Sequence, residues 1–551
     1  GHLVEIEDLK HSVGFSERTD AVVEPRLSLQ WFMAMEELCK PALDAVEKGE
    51  VRLIPDKFMG TYRHWMGNIK EWCVSRQLWW GHRIPAWYFG QGEEDFVVCR
   101  TLEEAVSLAK EKSGNANLSA SDLKQDEDVL DTWASSWLWP ISVFDGIANP
   151  DNEEIKYYYP TDVIVTAPEI LFFWVARMII AGYEYRDERP FKDVYLTGIV
   201  RDKQRRKMSK QLGNSPDPLD IFKAYSADGV RLGMLMASSA GNDILFDVKL
   251  CEQGRNFANK IWNAFRLLKG WELSAGSNPE HEAPIEWFES KFNHNLSEVE
   301  RLMTEFRISE AANLLYSFVW DDFCSWYLEF IKPGFEQPIA EKTVQRTIGF
   351  FEDILKVLHP IMPFITEEIW HYIKEREDGE DIMVAEWPKG GAVNSEVLSK
   401  GDVAKDIISS VRDIRNKQGL GFKEAYPLKV RTTSFDQFDS FSSTIVKLAK
   451  LTTFEAVSED VDGALGFLSG SSKSDQFYLE AGDTVDYEAE KERITKDLEY
   501  TKGFLKSVSK KLSNERFVNN APEAVVAIER KKMDDAAQKI KVLEEDLTRL
   551  S

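Results

Sequence analysis

Cysteine is scarce and scattered in this sequence. The 551-residue chain holds five, at positions 39, 73, 99, 251 and 324, and none has the C-x-x-C spacing. That excludes a zinc ribbon and a disulfide framework, and it fits a reducing, cytoplasmic setting. Long apolar runs are missing too. The longest, Ile170 to Ile180, is broken by Arg177 and is too short to cross a bilayer. There is no secretory-leader pattern, and no Met at position 1. Basic residues are in deficit: 68 Lys and Arg face 93 Asp and Glu, for a net charge of −25. Such a balance argues against an indiscriminate polyanion binder. It leaves room for a local basic groove, because net charge governs solubility and long-range steering rather than one patch.

Apolar and aromatic side chains are abundant. Hydrophobic residues make up 43% and aromatics 12%, with 17 Trp, so the chain folds. Its length exceeds what one core can organise and predicts about three to five units.

The most concentrated positive charge is the run Arg205-Arg206-Lys207-Met208-Ser209-Lys210, followed by Gln211-Leu212-Gly213-Asn214. An apolar run, Val194 to Val200, precedes it and reads as a buried strand. Asp217-Pro218 follows as an N-cap and first-turn pair opening an amphipathic helix. Basic runs are usually solvated faces. A cationic loop between a strand and a capped helix, however, sits where open α/β sheets bind ligands. There it can close on a polyphosphate and neutralise charge that grows in the transition state. Upstream, Pro160 to Thr166 reads as a strand and Glu169 to about Gly182 as a buried helix, which completes a βαβ unit. Glu169, at the strand's carboxyl end, can hold a ribose hydroxyl or an ammonium group; the plainer alternative is a first-turn acid facing the helix dipole. Ile170 and Trp174 share one helical face at i, i+4. Asp128 to Pro140 carries three tryptophans, each a candidate core residue or pocket wall. The core reading is preferred for Trp137 and Trp139. In the aromatic, basic segment Trp65 to Pro85, stacking on bases and a packed core with snorkelling arginines weigh equally. His82 reads as a structural hydrogen bonder.

Residues 13–25 read as a hairpin edge and a strand, and the chain is taken as the later part of a longer protein. Residues 91–128 read as a small surface elaboration. From Glu252 to about Ile373 a helical period dominates and predicts a bundle, with Asp321 and Asp322 as helix-surface charges. Residues 391–483 combine a helix (403–417) with strands at 428–431 and 476–479 and a loop at 469–474. Ile494, Leu498, Thr501, Leu505, Val508 and Leu512 step by 4 and 3, as do Met533, Ala536, Ile540, Leu543, Leu547 and Leu550. Between the two runs, Asn514, Asn519, Asn520 and Pro522 break the helix, so an antiparallel coiled-coil hairpin is predicted. A dimerisation coil is the alternative. Lys502, Lys506, Lys510 and Lys511 give one arm a basic side suited to phosphates.

Several of these segments resemble one known family, in its order. Lys207 to Lys210 is similar to the Lys-Met-Ser-Lys loop of class I aminoacyl-tRNA synthetases. Ser75 to Pro85 resembles the stretch that valyl, isoleucyl and leucyl members share. The Asp131-Thr132-Trp133 stretch and Glu169-Ile170 with Trp174 resemble the valyl versions. Asp321 to Glu329 and Leu358 to Trp370 resemble the anticodon-binding bundle. Lys511 to Val518 resembles the tRNA-contacting arm of bacterial valyl members. The chain departs from the family pattern at Ala134 (usually Phe), Ala167 (Gly), Glu169 (Asp), Thr197 (His), Arg205 (Gly) and Gln211 (Ser).

The resemblance implies a multidomain α/β and all-α fold. The expected parts are a tail of the editing domain (1–24) and the second half of a Rossmann-like catalytic domain (25–250). An anticodon-binding bundle (251–390), a small α/β module (391–483) and a coiled-coil arm (484–551) would follow. It implies valine activation with ATP and Mg²⁺ as substrate, then transfer to the 3′ end of tRNA(Val), by a cytoplasmic monomer without a resident metal. Lys207 and Lys210 would act on the leaving phosphates, with Met208 and Ser209 in the ATP-binding loop. Trp133, Ile170 and Trp174 would shape the valine pocket, and Glu169 would orient the adenylate. An apolar pocket cannot strongly reject threonine, a limit that valyl enzymes themselves illustrate, which is why the family carries an editing domain. The nucleotide-holding His-x-Gly-His segment is missing from these 551 residues, so this stretch alone is expected not to activate valine. Two alternatives stand beside this: a catalytically silent tRNA-binding scaffold, and an isoleucyl or leucyl enzyme.

Overall fold

Phe191–Leu196 buries five of its six side chains, as a central parallel strand must. In the computed structural model it lies between Arg52–Ile54 and Thr161–Thr166, parallel to both. Asp193 would be a costly buried charge, but it sits in register opposite Arg52. It accepts two hydrogen bonds from that guanidinium, at 2.5 and 2.8 Å, the bidentate geometry that suits the pair.

The structure describes residues 2, 5–16, 19–421, 423–432, 435–457, 467–472, 475–482, 487–514, 517–518 and 523–549. The chain divides into two compact units, residues 1–199 with 240–243 and residues 200–239 with 244–551. Residues 25–250 therefore contribute to both.

In the first unit the helix Met35–Glu47 packs against the helix that follows strand Thr161–Thr166. That second helix is the one expected from Glu169, but it is not α-helical at its start. It opens as a 3₁₀ turn, Pro168–Ile170, widens to a π turn, Leu171–Val175, and becomes α only over Ala176–Arg186. Widened turns of this kind re-aim side chains and recur at functional sites. The strand expected over 194–200 stops at Leu196. A Cβ on Gly198 would lie 1.6 Å from the Asn242 carbonyl oxygen, so two backbones touch here and the chain leaves the sheet. Among the described residues, the hairpin edge expected from residue 13 is present as the antiparallel bridge Phe15–Val22, with the Val23 N–H donating to the Gly14 carbonyl and the Ser16 N–H to that of Ala21, and no strand continues to residue 25. Val22 and Val23 are exposed and have no core to join. Residues 86–125 form a three-stranded sheet with the helix Leu102–Ser113, closed on a small core of Val97, Cys99, Ala105 and Ala109.

The second unit is mostly helical. Val248–Lys269, Glu282–Thr304, Ile308–Ser317, Glu341–Leu358 and Pro363–Ile373 enclose a core centred on Trp287, Phe288, Phe323, Tyr327 and Phe351. Ala227–Met236 joins this bundle at backbone distance. A Cβ on Gly254 would lie 2.0 Å from the Gly229 oxygen, and one on Gly233 would lie 2.2 Å from the Leu250 oxygen. Asp228, at the start of that helix, accepts from the backbone N–H groups of Phe364 and Ile365. Arg231 donates to the carbonyls of Pro360 and Ile361. Asp322, expected on the surface, is instead largely buried and pairs with Lys405 at 3.1 Å.

The core continues without a break into residues 395–481. There the helix Ser395–Lys417 backs a four-stranded sheet ordered 451–457, 426–431, 475–480, 467–472. Leu428 faces Leu479 across an antiparallel pair. The expected loop at 469–474 is a strand as far as Ser472, paired with Asp475–Glu480; residues 473–474 lie outside the described set. Gly470 makes room for Ile414, whose Cδ1 would come within 2.8 Å of a Cβ there. Arg415 is buried in this seam, and its guanidinium donates to the carbonyls of Ala449, Lys450, Gly421 and Glu424.

Tyr487–Leu512 and Glu523–Arg549 pack along each other. Ile494, Leu498, Thr501, Val508, Ala536 and Leu543 are buried at the seam. Lys502 reaches Glu544 at 2.6 Å and Lys511 reaches Glu529 at 3.1 Å, which fixes the antiparallel sense. The helix-breaking residues Asn519, Asn520 and Pro522, and Leu550 at the end of the second run, lie outside the described residues.

Candidate functional site

Lys207 and Lys210 are exposed on a loop whose backbone is tightly held. Arg201 and Lys207 form an antiparallel bridge, and Asp202 is the hub beneath it. One Asp202 oxygen accepts from the N–H groups of Gln204 and Arg206, at 3.0 and 2.9 Å. The other accepts from Arg206 Nε at 2.8 Å and Asn214 Nδ2 at 3.0 Å. The Asn214 bond leads the causes that push the Asp202 carboxyl down to about 2. Asn214 also receives the Ser209 N–H at 2.9 Å and donates to the Lys207 carbonyl at 3.3 Å. One asparagine thus grips the Lys-Met-Ser-Lys segment at its first and third residues. Arg205 has φ +64°, a left-handed conformation that glycine adopts without penalty. After the loop, Asp217 caps the helix Pro218–Tyr225 through the Leu219 N–H, as expected. Lys210 has no ion-pair partner among the described residues.

The first unit holds the expected pocket residues. Asp131 caps the short helix Thr132–Ser136 by accepting the Trp133 N–H, which sets Trp133 in its first turn. Trp133 lines a cavity of ≈ 650 Å³ together with Trp72, Phe172, Phe173, Arg76 and Arg177. Arg76 is paired with Asp131. Arg177 lies 3.7 Å over the Trp72 ring, and burial pushes its guanidinium down to about 10. Glu169 is exposed on the 3₁₀ turn, and Ile170 and Trp174 are half-buried. These three are not among the described residues lining that cavity. Trp174 instead stacks on Trp139, with ring centroids 6.0 Å apart and planes at 27°. Trp137 is core, edge-on to Trp72 and Tyr185, as expected. Trp139 is not core; it is 51% exposed. His82 is exposed, and its carbonyl accepts the Leu130 N–H.

Of the four arm lysines, Lys502 and Lys511 turn toward the second helix and its glutamates. Lys506 and Lys510 have no ion-pair partner among the described residues. Glu367, His371 and Asp381 bring potential ligand atoms within 4.8 Å of one another. His371 Nε2 lies 3.1 and 3.3 Å from the two carboxylates, which is ion-pair geometry and accounts for the grouping. No helix among the described residues is long and apolar enough to cross a membrane.

Three family models match in succession: tRNA synthetases class I (I, L, M and V) over residues 4–247, the anticodon-binding domain of tRNA ligase over 286–431, and the valyl tRNA synthetase tRNA binding arm over 486–551. The whole chain is 53% identical to a valine–tRNA ligase of Christiangramia forsetii, covering 63% of that protein. It is 51% identical to one of Parabacteroides distasonis and 38% identical to one of Chlorobaculum tepidum, covering 62% of each. The chain belongs to the valyl-tRNA synthetase family. It spans just over three-fifths of the length of these curated relatives. An isoleucyl or leucyl assignment falls away.

Within this valyl-tRNA synthetase chain, sequence reasoning gave no role to Asp202 and Asn214, which hold the lysine loop, and read Trp139, which stacks on Trp174, as core. Asn214 did carry a signal, since an asparagine after Leu-Gly at the end of a loop is a natural side-chain clasp for backbone groups. Asp202 and Trp139 carried none, because what marks them is their tertiary contacts.

Proposed function

We propose that this chain serves valine–tRNA ligation, with ATP–Mg²⁺, valine and tRNA(Val) as substrates. A carboxylate oxygen of valine attacks the α-phosphorus of ATP. The bond from that phosphorus to the bridging oxygen breaks, and pyrophosphate leaves with the electron pair. The hydroxyl at the tRNA 3′ end then attacks the adenylate carbonyl, losing its proton as AMP departs. Lys207 and Lys210 neutralise charge on the departing phosphates. Trp133, Ile170 and Trp174 enclose the valine side chain, and Glu169 orients the adenylate. Lys506 and Lys510 lead the arm's contact with tRNA phosphates, since Lys502 and Lys511 are engaged within the arm.

The observation that carries this reading is the held loop. Asp202 and Asn214 fix the backbone of residues 202–209 while the two lysine side chains stay exposed. A loop that presents cations on a preorganised backbone suits charge that develops during reaction. The test is Lys210→Ala, in a protein that carries this chain together with the remaining part of the relatives' length. Valine-dependent pyrophosphate exchange should fall by about 10²-fold, the usual cost of losing one such donor, with valine binding unchanged. An unchanged exchange rate refutes the role of Lys210. No exchange in the unsubstituted protein points to the silent scaffold instead.

A further inference from the structure

Two tryptophans separated by one residue behave differently. Trp137 is 3% exposed and is held edge-on by two other rings, so it packs the core. Trp139 opens the short helix Trp139–Ser142 and leaves 51% of its surface in water. Its one ring–ring contact among the described residues is the stack on Trp174. A half-exposed indole adds little to a core, but a stacked one fixes the plane of its neighbour. Trp174 needs that constraint. It stands on the π turn Leu171–Val175, and the 650 Å³ cavity beside that turn is walled by Phe172 and Phe173 rather than by Trp174. Of the neighbouring rings, it is Trp139 that lies flat against it.

We infer that Trp139 is a positioning residue for amino-acid selection: it holds the Trp174 indole in the orientation that limits the width of the valine pocket. This rests on the assignment of Trp174 to that pocket. An apolar pocket separates neighbouring aliphatic side chains by only about 10–200-fold per methylene. A wall free to swing therefore gives up discrimination against isoleucine before it gives up chemistry.

The experiment compares Trp139→Ala, Trp139→Phe and Trp174→Ala in a protein carrying this chain together with the remaining part of the relatives' length. Pyrophosphate exchange is measured with valine and with isoleucine, alongside the far-ultraviolet circular dichroism couplet of the stacked indoles. Trp139→Ala should raise the valine KM about three- to tenfold, the range of one aromatic pair. Its kcat should stay within about twofold, and its valine-over-isoleucine ratio of kcat/KM should fall about tenfold. Trp139→Phe keeps a ring to stack and should restore most of both, and it covers the case in which the alanine variant folds poorly. Both Trp139 variants and Trp174→Ala should lose the same couplet. A Trp139→Ala enzyme with normal valine KM and normal selectivity, beside a Trp174→Ala enzyme impaired in both, overturns the positioning role. So does a fall in kcat alone, or a phenylalanine variant as impaired as the alanine one. If Trp174→Ala also leaves valine KM and selectivity untouched, the pocket assignment itself fails.

Discussion

Replacing Asn214 by alanine should open the lysine loop without loosening what surrounds it. The side chain makes three hydrogen bonds: from Nδ2 to the Asp202 carboxylate at 3.0 Å, from Nδ2 to the Lys207 carbonyl at 3.3 Å, and from the Ser209 N–H to Oδ1 at 2.9 Å. A bond to a charged acceptor contributes about 1.5–3 kcal/mol and a neutral one about 1 kcal/mol, with the long contact worth less. Water reaches this exposed loop and replaces part of what is lost, so about 2 kcal/mol should remain as a lower cost of local opening. That corresponds to about a 30-fold change in the opening equilibrium. Amide hydrogen exchange reads it directly. The Ser209 N–H should exchange about 30-fold faster. The N–H groups of Gln204 and Arg206 are held by the other Asp202 oxygen and should change far less. The helix Val248–Lys269 should not change at all. A Ser209 amide that keeps its protection would refute the clasp, and equal acceleration across helix and loop would show that the asparagine supports the fold rather than the loop.

Arg205→Gly should tighten the same loop by about 1 kcal/mol, because a left-handed φ costs a side chain that much and glycine nothing; slower exchange of the Arg205 and Arg206 amides would show it. Arg415→Met should destabilise the second unit by about 2–3 kcal/mol, since the Ala449, Lys450, Gly421 and Glu424 carbonyls lose a charged donor and water reaches only some of them. A denaturant melt and exchange across residues 421–451 would measure it. Changing Lys506 and Lys510 together to alanine should lower the slope of log affinity for tRNA against log salt by about 1.5–2, close to one counterion per lost phosphate contact. The matching change at Lys502 and Lys511 should move that slope less and instead lower the melting temperature of the arm.

The long helices were legible because an amphipathic period repeats over several turns, as at Ile494, Leu498 and Thr501. The central parallel strand was legible as a buried run only over Val194–Leu196; its first half carries Lys192 and Asp193, and the apolar run continues past its end to Val200. Residues 469–472 were read as loop because serine and glycine ordinarily mark one. Their strand character comes from a tight antiparallel pairing with Asp475–Tyr478, which serine and glycine do not announce, and from the close fit of Gly470 to Ile414, a long-range contact. The π turn at Leu171–Val175 was invisible for a similar reason, since the apolar residues suit an α-helix equally well. At the candidate site, the lysines announced themselves by charge and position, and the family resemblance supplied roles for Trp133, Ile170 and Trp174. Trp137 and Trp139 have the same side chain two positions apart, and no local pattern tells the one that packs the core from the one that faces solvent. Asp202 reads locally as one acid in a polar loop. Its role as hub depends on Asn214, twelve residues later.

The glycines that bring Ala227–Met236 against Val248–Lys269 have a mechanical consequence. Packed helices ordinarily slide on a cushion of side chains, and at Gly229, Gly233 and Gly254 that cushion is gone. Asp228 and Arg231 bolt the shorter helix to the segment around residues 360–365 as well. The lysine loop is therefore carried on a stiff lever. The helix Val248–Lys269 has 22 residues, a length of about 33 Å, and tilting it by about 5° displaces its far end by about 3 Å. A misplacement of about 1 Å is enough to cost a catalytic group most of its effect. On the proposed role of Lys207 and Lys210, their reach depends on the stance of the bundle as well as on the loop that bears them.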